Sequence, residues 1–247
     1  MQLIDEEKFF AKKGEILDFL YDNRSIYGEL GELLGLLIYS DVVLQMDNSN
    51  IPVQLSQIFS KFDVKTEGMD DYFEFYNLLN KYRFLEGNCC EVGAGLYPRL
   101  CELTIPTIIQ NKGTLTIYEP NIMFDKIENA ILKKEEFNKK TNIDNVDTIY
   151  ALYPCEATVT VAEKAFQEDK NLMMALCPCD HSTEKHQKWF SDYWAVDFCM
   201  DYKEKYGDEV EIIKWPTKTE IDLPIMVRTT AKHKEKLLSL NKKTTLL

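Results

Sequence analysis

From residue 88 onward, short apolar runs alternate with longer amphipathic stretches, and this alternation constrains the fold more than any other feature of the sequence. Each run has about four to eight apolar residues bounded by Gly, Pro, Asn or Asp, as buried strands have. The runs lie at residues 88–95, 113–121, 146–155 and 171–179, and helical patterns lie at 99–110, 123–140, 157–169 and 188–207. This alternation predicts a parallel sheet with helices on both faces.

The last two apolar runs follow a different pattern. Residues 209–215 (EVEIIKW) and 223–230 (LPIMVRTT) are separated only by PTKTEID. That connection is too short for a crossover helix, so the two strands should pair antiparallel. We therefore expect an α/β, Rossmann-like sheet that is mostly parallel, with an antiparallel last strand and seven strands or one fewer. The third strand should be very short, because no clear apolar run lies between Glu119 and Val146.

The amino-terminal third lacks strand patterns and has apolar residues at helical spacing. Helical patterns lie at residues 5–23, 28–46, 52–62 and 69–85, the last with Asp70 or Asp71 as a candidate N-cap. The predicted organisation is a helical cap and substrate-recognition subdomain at 1–84, a Rossmann-like domain at 85–230 and a basic tail at 231–247. The tail has five lysines against Glu235 alone, and we expect it to be solvated and frayed.

Charge and composition limit the partners and the compartment. The net charge is −12, and residues 1–80 hold 15 Asp and Glu against 6 Lys and Arg, which opposes a polyanion at long range. No apolar run approaches the roughly 20 residues that span a bilayer, and the first residues do not resemble a signal peptide. The seven cysteines suggest no disulfide framework. We expect a cytoplasmic protein without a membrane partner.

The first apolar run ends in a carboxylate and two glycines, E-V-G-A-G at residues 91–95. Glycines at a strand end let a ligand approach the backbone, and a following helix offers free N–H groups. The next run ends in Glu119, and a carboxylate at that point of a doubly wound sheet can accept both hydroxyls of an adenosine ribose. The pattern predicts a nucleoside-cofactor site. The alternative is that Gly95 only occupies a tight turn with positive φ.

Pro98 stands where a dinucleotide fingerprint has its third glycine, which argues against NAD. Residues 85–230 instead resemble the class I S-adenosylmethionine-dependent methyltransferases, which read E/D-x-G-x-G at the first strand and place an acid after the second. The resemblance implies S-adenosylmethionine as the cofactor, with Glu91 holding its methionine end through the ammonium group, directly or through water, and Glu119 its ribose hydroxyls. The further cofactor contacts that it implies are Gly93, Ala94, Gly95, Pro120 and Tyr153.

Residues 150–181 resemble the stretch L-H-x-C-G-x-A-T-D…A-L-C-C-H-H of a methyltransferase subgroup that includes tRNA 2′-O-methyltransferases. Four positions depart from it, since Tyr153 replaces a histidine, Glu156 a glycine and Val159 an aspartate, and Pro178 separates two cysteines that are adjacent in the subgroup. The turn G-L-Y-P at 95–98 also resembles G-L-N-P in ribosomal-RNA methyltransferases that confer aminoglycoside resistance. These similarities favour an RNA acceptor, whereas the acidic charge favours a small molecule, and both acceptor classes stay open.

Two residues are candidates for a catalytic role. Tyr153 ends the fourth strand, where many such methyltransferases keep residues that contact the acceptor, and His181 is a candidate general base after the fifth strand. Cys155, Cys177 and Cys179 could approach His181, but their spacing is not a usual zinc pattern, so we expect no metal and cysteines that pack as small apolar residues. The alternative to an enzyme is a non-catalytic S-adenosylmethionine-binding or scaffold protein that acts through a partner.

Overall fold

The computed structural model describes residues 6–24, 58–64, 69–96, 98–176, 194–215 and 224–244. The strands are β1 Cys89–Val92, β2 Leu115–Tyr118, β3 Ile131–Lys133, β4 Thr148–Leu152, β5 Asn171–Ala175, β6 Val210–Lys214 and β7 Pro224–Arg228. The α-helices are α1 Glu6–Asp22, α2 Met69–Lys81, α3 Arg99–Gln110, α4 Thr158–Gln167, α5 Trp194–Tyr206 and α6 Ala231–Thr244. Among these described helices, none is long and apolar enough to cross a membrane.

The seven strands form one sheet in the order β3-β2-β1-β4-β5-β7-β6. The pairs β1–β2, β1–β4, β2–β3 and β4–β5 are parallel, whereas β7 pairs antiparallel with both β5 and β6. The Rossmann-like fold and the antiparallel closing pair are thereby confirmed. The strand order reverses between β1 and β4, and ligands of such sheets bind at this point, beyond the carboxyl ends of the strands.

The segment between β2 and β4 corrects one prediction. Residues 123–140 have a helical pattern, but they contain no helix and run past the sheet as loops around the three-residue β3. Ile131, Leu132 and Lys133 pair with β2, whose outer edge would otherwise be open. Phe137 is buried and packs edge-on against Tyr118, with ring centroids 5.5 Å apart. Strand pairing and this tertiary contact override the local helical pattern.

The two faces of the sheet have separate apolar cores. On one face, Leu79 of α2 and Leu100 of α3 pack with Tyr150 of β4. On the other face, Val161 of α4 and Phe198 of α5 pack with the opposite side of the strands. Residues alternate between the faces along each strand, so Glu91, between Cys90 and Val92, is directed to the α2–α3 face.

Helix α2 is fixed to the domain at two points. The Tyr76 hydroxyl lies 2.8 Å from Thr107 Oγ1 of α3, and the Tyr153 hydroxyl donates to Asp71 Oδ2 at 2.7 Å. The amino end of α2 therefore lies at the carboxyl edge of the sheet, where β4 ends. Within residues 6–24, 58–64 and 69–84, the described part of the predicted cap, the structure contains helix and no strand. The predicted helix at 28–46 lies outside the described residues, and the division into cap, domain and tail stays a prediction.

The expectation of a frayed carboxyl terminus was wrong, because residues 231–244 form helix α6. His233 is buried in its first turn, with Nε2 2.8 Å from the Tyr82 carbonyl oxygen and its ring edge-on to Phe84. Lys236 forms an ion pair with Glu86 at 2.9 Å. These contacts fix the helix to the segment that connects α2 with β1, and local charge pattern alone does not reveal them.

Candidate functional site

The turn after β1 has two glycines with different surroundings. Gly93 has φ +74°, and a Cβ there would lie 3.1 Å from Pro154 Cα, so this glycine lets the β1 turn pack against the segment after β4. Gly95 has φ +78°, and a Cβ there would meet no described atom within 4 Å. The space beside Gly95 therefore remains available to a ligand.

Glu119 is the residue that directly follows β2, and backbone donors orient its carboxylate. The Gly95 N–H donates to Oε2 at 3.0 Å, and the Asn121 N–H donates to Oε1 at 3.0 Å. Glu119 is buried, with only 8% of the residue exposed. A carboxylate offers about four acceptor sites, so capacity remains on both oxygens after these two bonds. The loops after β1 and β2 are thus joined through one carboxylate that can still accept hydroxyl donors.

A cavity of about 440 Å³ lies beside Glu119, between the loops after β2, β3 and β4. Of the predicted cofactor contacts, Gly93, Glu119 and Pro120 line this cavity. Its described lining also includes Ala157, which belongs to the motif at residues 150–181, and Phe137, Asn138 and Thr160, which the motifs did not indicate. Phe137 is the single aromatic residue in the polar stretch after β3, and that isolation is the only sequence signal that could have identified it.

Glu91 lies in β1 and is directed toward α3. It is 2% exposed, and the Tyr150 hydroxyl lies within 3.4 Å of its Oε2. Burial, with a smaller contribution from the negative charge of Glu119, raises the pKa of Glu91 to about 8, although the Tyr150 hydrogen bond acts in the opposite direction. The carboxyl group is therefore mostly protonated at neutral pH, and a cation that binds beside it would favour loss of the proton.

The Tyr150 hydroxyl connects Glu91 to α3, since it also lies 2.9 Å from Thr104 Oγ1. Removing this hydroxyl through Tyr150→Phe should lower the free energy of unfolding by about 1–3 kcal/mol, because the buried Thr104 hydroxyl and Glu91 carboxyl both lose it as a partner. Chemical denaturation of both proteins measures this difference. Thr104→Ser, which keeps the hydroxyl, is the matched control and should lose less stability. Equal stability of Tyr150→Phe and the parent would contradict the hydrogen-bonded arrangement.

Tyr153 follows β4 with a left-handed backbone, φ +57°. Its N–H donates to the Ala175 carbonyl at 2.9 Å, its hydroxyl donates to Asp71, and its ring lies 6.1 Å from that of Trp215. Burial raises the pKa of the Tyr153 phenol, and the charge of Asp71 raises it further. The phenol therefore stays protonated at physiological pH. Tyr153 is not among the residues that line the 440 Å³ cavity, but its neighbour Pro154 is.

The remaining predicted residues are placed only in part. His181, Cys177 and Cys179 lie outside the described residues. Cys155 lines the cavity, and burial, together with the charges of Glu156 and Glu119, raises the pKa of its thiol. A thiol with a raised pKa is a poor nucleophile and a poor metal ligand at neutral pH. In the part of the chain that the structure describes, no group of three His, Cys, Asp or Glu side chains could hold a metal ion.

Comparisons with known proteins give structural similarity only. No family model and no curated protein sequence matches the chain. An S-adenosylmethionine-dependent O-methyltransferase from Thermotoga maritima matches 66% of this chain and 65% of its own, at 12% identity and a TM-score of 0.45. The 23S rRNA methyltransferase ErmE matches 64% of this chain and 67% of its own, at 11% identity and a TM-score of 0.43.

A third solved structure, an S-adenosylhomocysteine-bound methyltransferase from Podospora anserina, matches 71% of this chain and 85% of its own, at 10% identity and a TM-score of 0.42. The chain thus spans just under two thirds of the Thermotoga enzyme. All three TM-scores are below 0.5, so the fold assignment depends on the strand order and the strand directions themselves.

Proposed function

We propose that the protein is an S-adenosylmethionine-dependent methyltransferase that acts on RNA or on a small molecule. The observation that carries the proposal is the Glu119 carboxylate, which two backbone N–H groups hold beside the open space at Gly95. A fixed, buried carboxylate next to a glycine turn at the strand-order reversal matches the requirements of a ribose with two free hydroxyls. The residues present therefore fit the nucleoside part of this cofactor.

Each proposed contact has a physical role. Glu119 accepts the ribose hydroxyls, Gly93, Ala94 and Gly95 allow close approach of the backbone, and Pro120 borders the cavity. Glu91 binds the ammonium group of the methionine part. When bound, S-adenosylmethionine supplies an activated methyl group, so the protein mainly aligns the acceptor and excludes water. Tyr153 lies at the end of β4 for contact with the acceptor or the cofactor, and its protonated phenol acts there as a hydrogen-bonding group.

Isothermal titration with S-adenosylhomocysteine and S-adenosylmethionine tests cofactor binding directly. We expect both ligands to bind, and the proposal is refuted if neither of them binds. Transfer is then measured with methyl-labelled S-adenosylmethionine against total RNA and against a metabolite extract. Label in RNA identifies a nucleic-acid acceptor, and label in the extract identifies a small molecule. Cofactor binding without transfer to either pool would favour the non-catalytic scaffold instead.

The raised pKa of Glu91 predicts that cofactor binding depends on pH. A cation beside Glu91 requires its charged form, so binding releases a proton below pH 8, and affinity increases as pH rises toward that value. Each pH unit below the pKa should change the affinity by at most about tenfold. Titrations of S-adenosylhomocysteine at pH 6 and pH 7, in buffers with different ionisation enthalpies, measure both the affinity and the proton release.

Glu91→Gln is the control for this pH dependence, because an amide has the same shape and does not titrate in this range. The variant should bind more weakly than the parent and show a flat profile between pH 6 and pH 7. If the variant keeps the slope of the parent, another group causes the pH dependence and Glu91 does not contact the ammonium group.

A further inference from the structure

Asp71 is a buried carboxylate that the sequence indicated only as a candidate helix cap. It lies near the amino end of α2 and is 6% exposed. Its Oδ2 accepts the Tyr153 hydroxyl at 2.7 Å, across 82 positions of sequence. Burial of a carboxylate carries a desolvation cost, which hydrogen bonds and nearby charges must offset. The contact therefore needs an explanation beyond helix capping.

Tyr153 is held more firmly than a residue at a strand end requires. A left-handed φ costs a residue with a side chain roughly 1 kcal/mol or more, and such conformations cluster at functional sites. The backbone bond to Ala175, the side-chain bond to Asp71 and the ring contact with Trp215 together fix both its position and its direction. The position of the phenol is thus set by three different elements of the fold.

The hydrogen-bonded pair of Tyr153 and Asp71 lies close to the turn after β1, and this location indicates which part of the cofactor the pair would face. Pro154 directly follows Tyr153, and a Cβ at Gly93 would lie 3.1 Å from Pro154 Cα, so Tyr153 and Asp71 lie where the strand order reverses between β1 and β4. Glu119 follows β2, on the other side of β1. Two strand spacings, about 10 Å, separate the ends of β2 and β4. A cofactor whose ribose lies at Glu119 and whose methionine part crosses the turn would direct its sulfonium toward Tyr153.

We propose that Asp71 is a positioning residue that fixes Tyr153 and places a negative charge beside the sulfonium end of the cofactor. This inference rests on the proposed function. S-adenosylmethionine has a permanent positive charge at sulfur, and S-adenosylhomocysteine has a neutral thioether there. A carboxylate near that atom stabilises the first and not the second. Asp71 thereby favours the methyl donor over the demethylated product at the same site.

Asp71→Asn tests the charge while keeping an oxygen that can accept the Tyr153 hydroxyl. We expect S-adenosylmethionine to bind at least about threefold more weakly, while the affinity for S-adenosylhomocysteine changes by less than about twofold, because only the first ligand has a charge at sulfur. Calorimetric titration of both ligands gives the ratio. Equal losses of affinity for both ligands would show that Asp71 has a structural role only. Unchanged affinities for both ligands would show that its charge lies away from the sulfur. Either result overturns the proposal.

Asp147→Asn is the matched control, because it removes one negative charge at the opposite, amino-terminal edge of the sheet. Asp147 Oδ2 accepts the Asn88 N–H at 2.9 Å, and an amide oxygen can replace it. This variant should leave the ratio of the two affinities unchanged. Asp71→Glu keeps the charge and should restore most of the ratio. If Asp71→Asn does not fold, Asp71→Ser removes the same charge with a smaller polar side chain.

The wild-type titrations separate this inference from the proposed function. If the wild-type protein binds neither ligand, the proposed function fails, and the inference about Asp71 fails with it. If the wild-type protein binds both ligands and the Asp71→Asn ratio equals the wild-type ratio, only the role of Asp71 is wrong. The methyl acceptor need not be known for either result.

Discussion

Glu119→Ala lowers the affinity for S-adenosylhomocysteine by about ten- to a hundredfold, which is the largest loss that we expect from a single side chain. Hydrogen bonds to a charged group contribute roughly 1.5–3 kcal/mol net, and this range corresponds to one to two decades in the dissociation constant. The variant also removes the acceptor to which the N–H groups of Gly95 and Asn121 donate in the parent protein. Isothermal titration of both proteins at one pH and salt concentration measures the loss.

Two variants of the same cavity provide the controls for Glu119→Ala. Glu156→Ala removes an exposed carboxylate from the cavity lining, and Cys155→Ala removes the thiol beside it. Both should change the affinity by only a few-fold, because the Glu156 carboxylate is exposed to solvent and the raised pKa of Cys155 keeps its thiol neutral. If Glu119→Ala binds S-adenosylhomocysteine as the parent does, the ribose lies elsewhere. If Glu156→Ala binds S-adenosylhomocysteine as weakly as Glu119→Ala does, the loss of affinity comes from removing a negative charge near the cavity and not from a contact with the ribose.

The sequence predicted the parts of the site that depend on local signals. The strand end at Glu91, the glycines after it and the carboxylate after β2 are each marked by neighbouring residues within a few positions. The antiparallel pair β6–β7 is likewise fixed by the shortness of its connection. In a doubly wound sheet these local features suffice to bring strand ends to one edge, because parallel strands share their direction.

The parts that sequence reasoning missed depend on contacts between distant segments. Asp71 meets Tyr153 only because α2 packs on the sheet beside α3, and no pattern in either segment specifies the partner. Residues 123–140 have helical periodicity, yet the open edge of β2 recruits residues 131–133 as a strand. Intrinsic propensity is a weak prior that tertiary context overrides. Tertiary contacts also stabilise the helix at the carboxyl terminus, since His233 is held by residues of the α2–β1 connection.

Gly95→Ala should abolish the thermal stabilisation that S-adenosylhomocysteine gives the parent, whereas Gly207→Ala should retain it. Both glycines have positive φ and open space at the Cβ position, so alanine strains both backbones by roughly 1 kcal/mol.

The expected cost without ligand is a melting temperature about 2–4 °C lower for each variant, given a chain of this size. The two positions differ in their location. Gly95 borders the proposed cofactor, and Gly207 precedes β6 at the opposite edge of the sheet. Ligand stabilisation follows RT ln(1 + [L]/Kd), about 2.7 kcal/mol at a hundredfold excess over Kd, so blocked binding removes the whole upshift. Thermal scans of the three proteins with and without S-adenosylhomocysteine measure both effects. If S-adenosylhomocysteine still raises the melting temperature of Gly95→Ala as it does for the parent, Gly95 does not border the ligand. The glycine would then be needed only for the positive φ of the turn, as at Gly207.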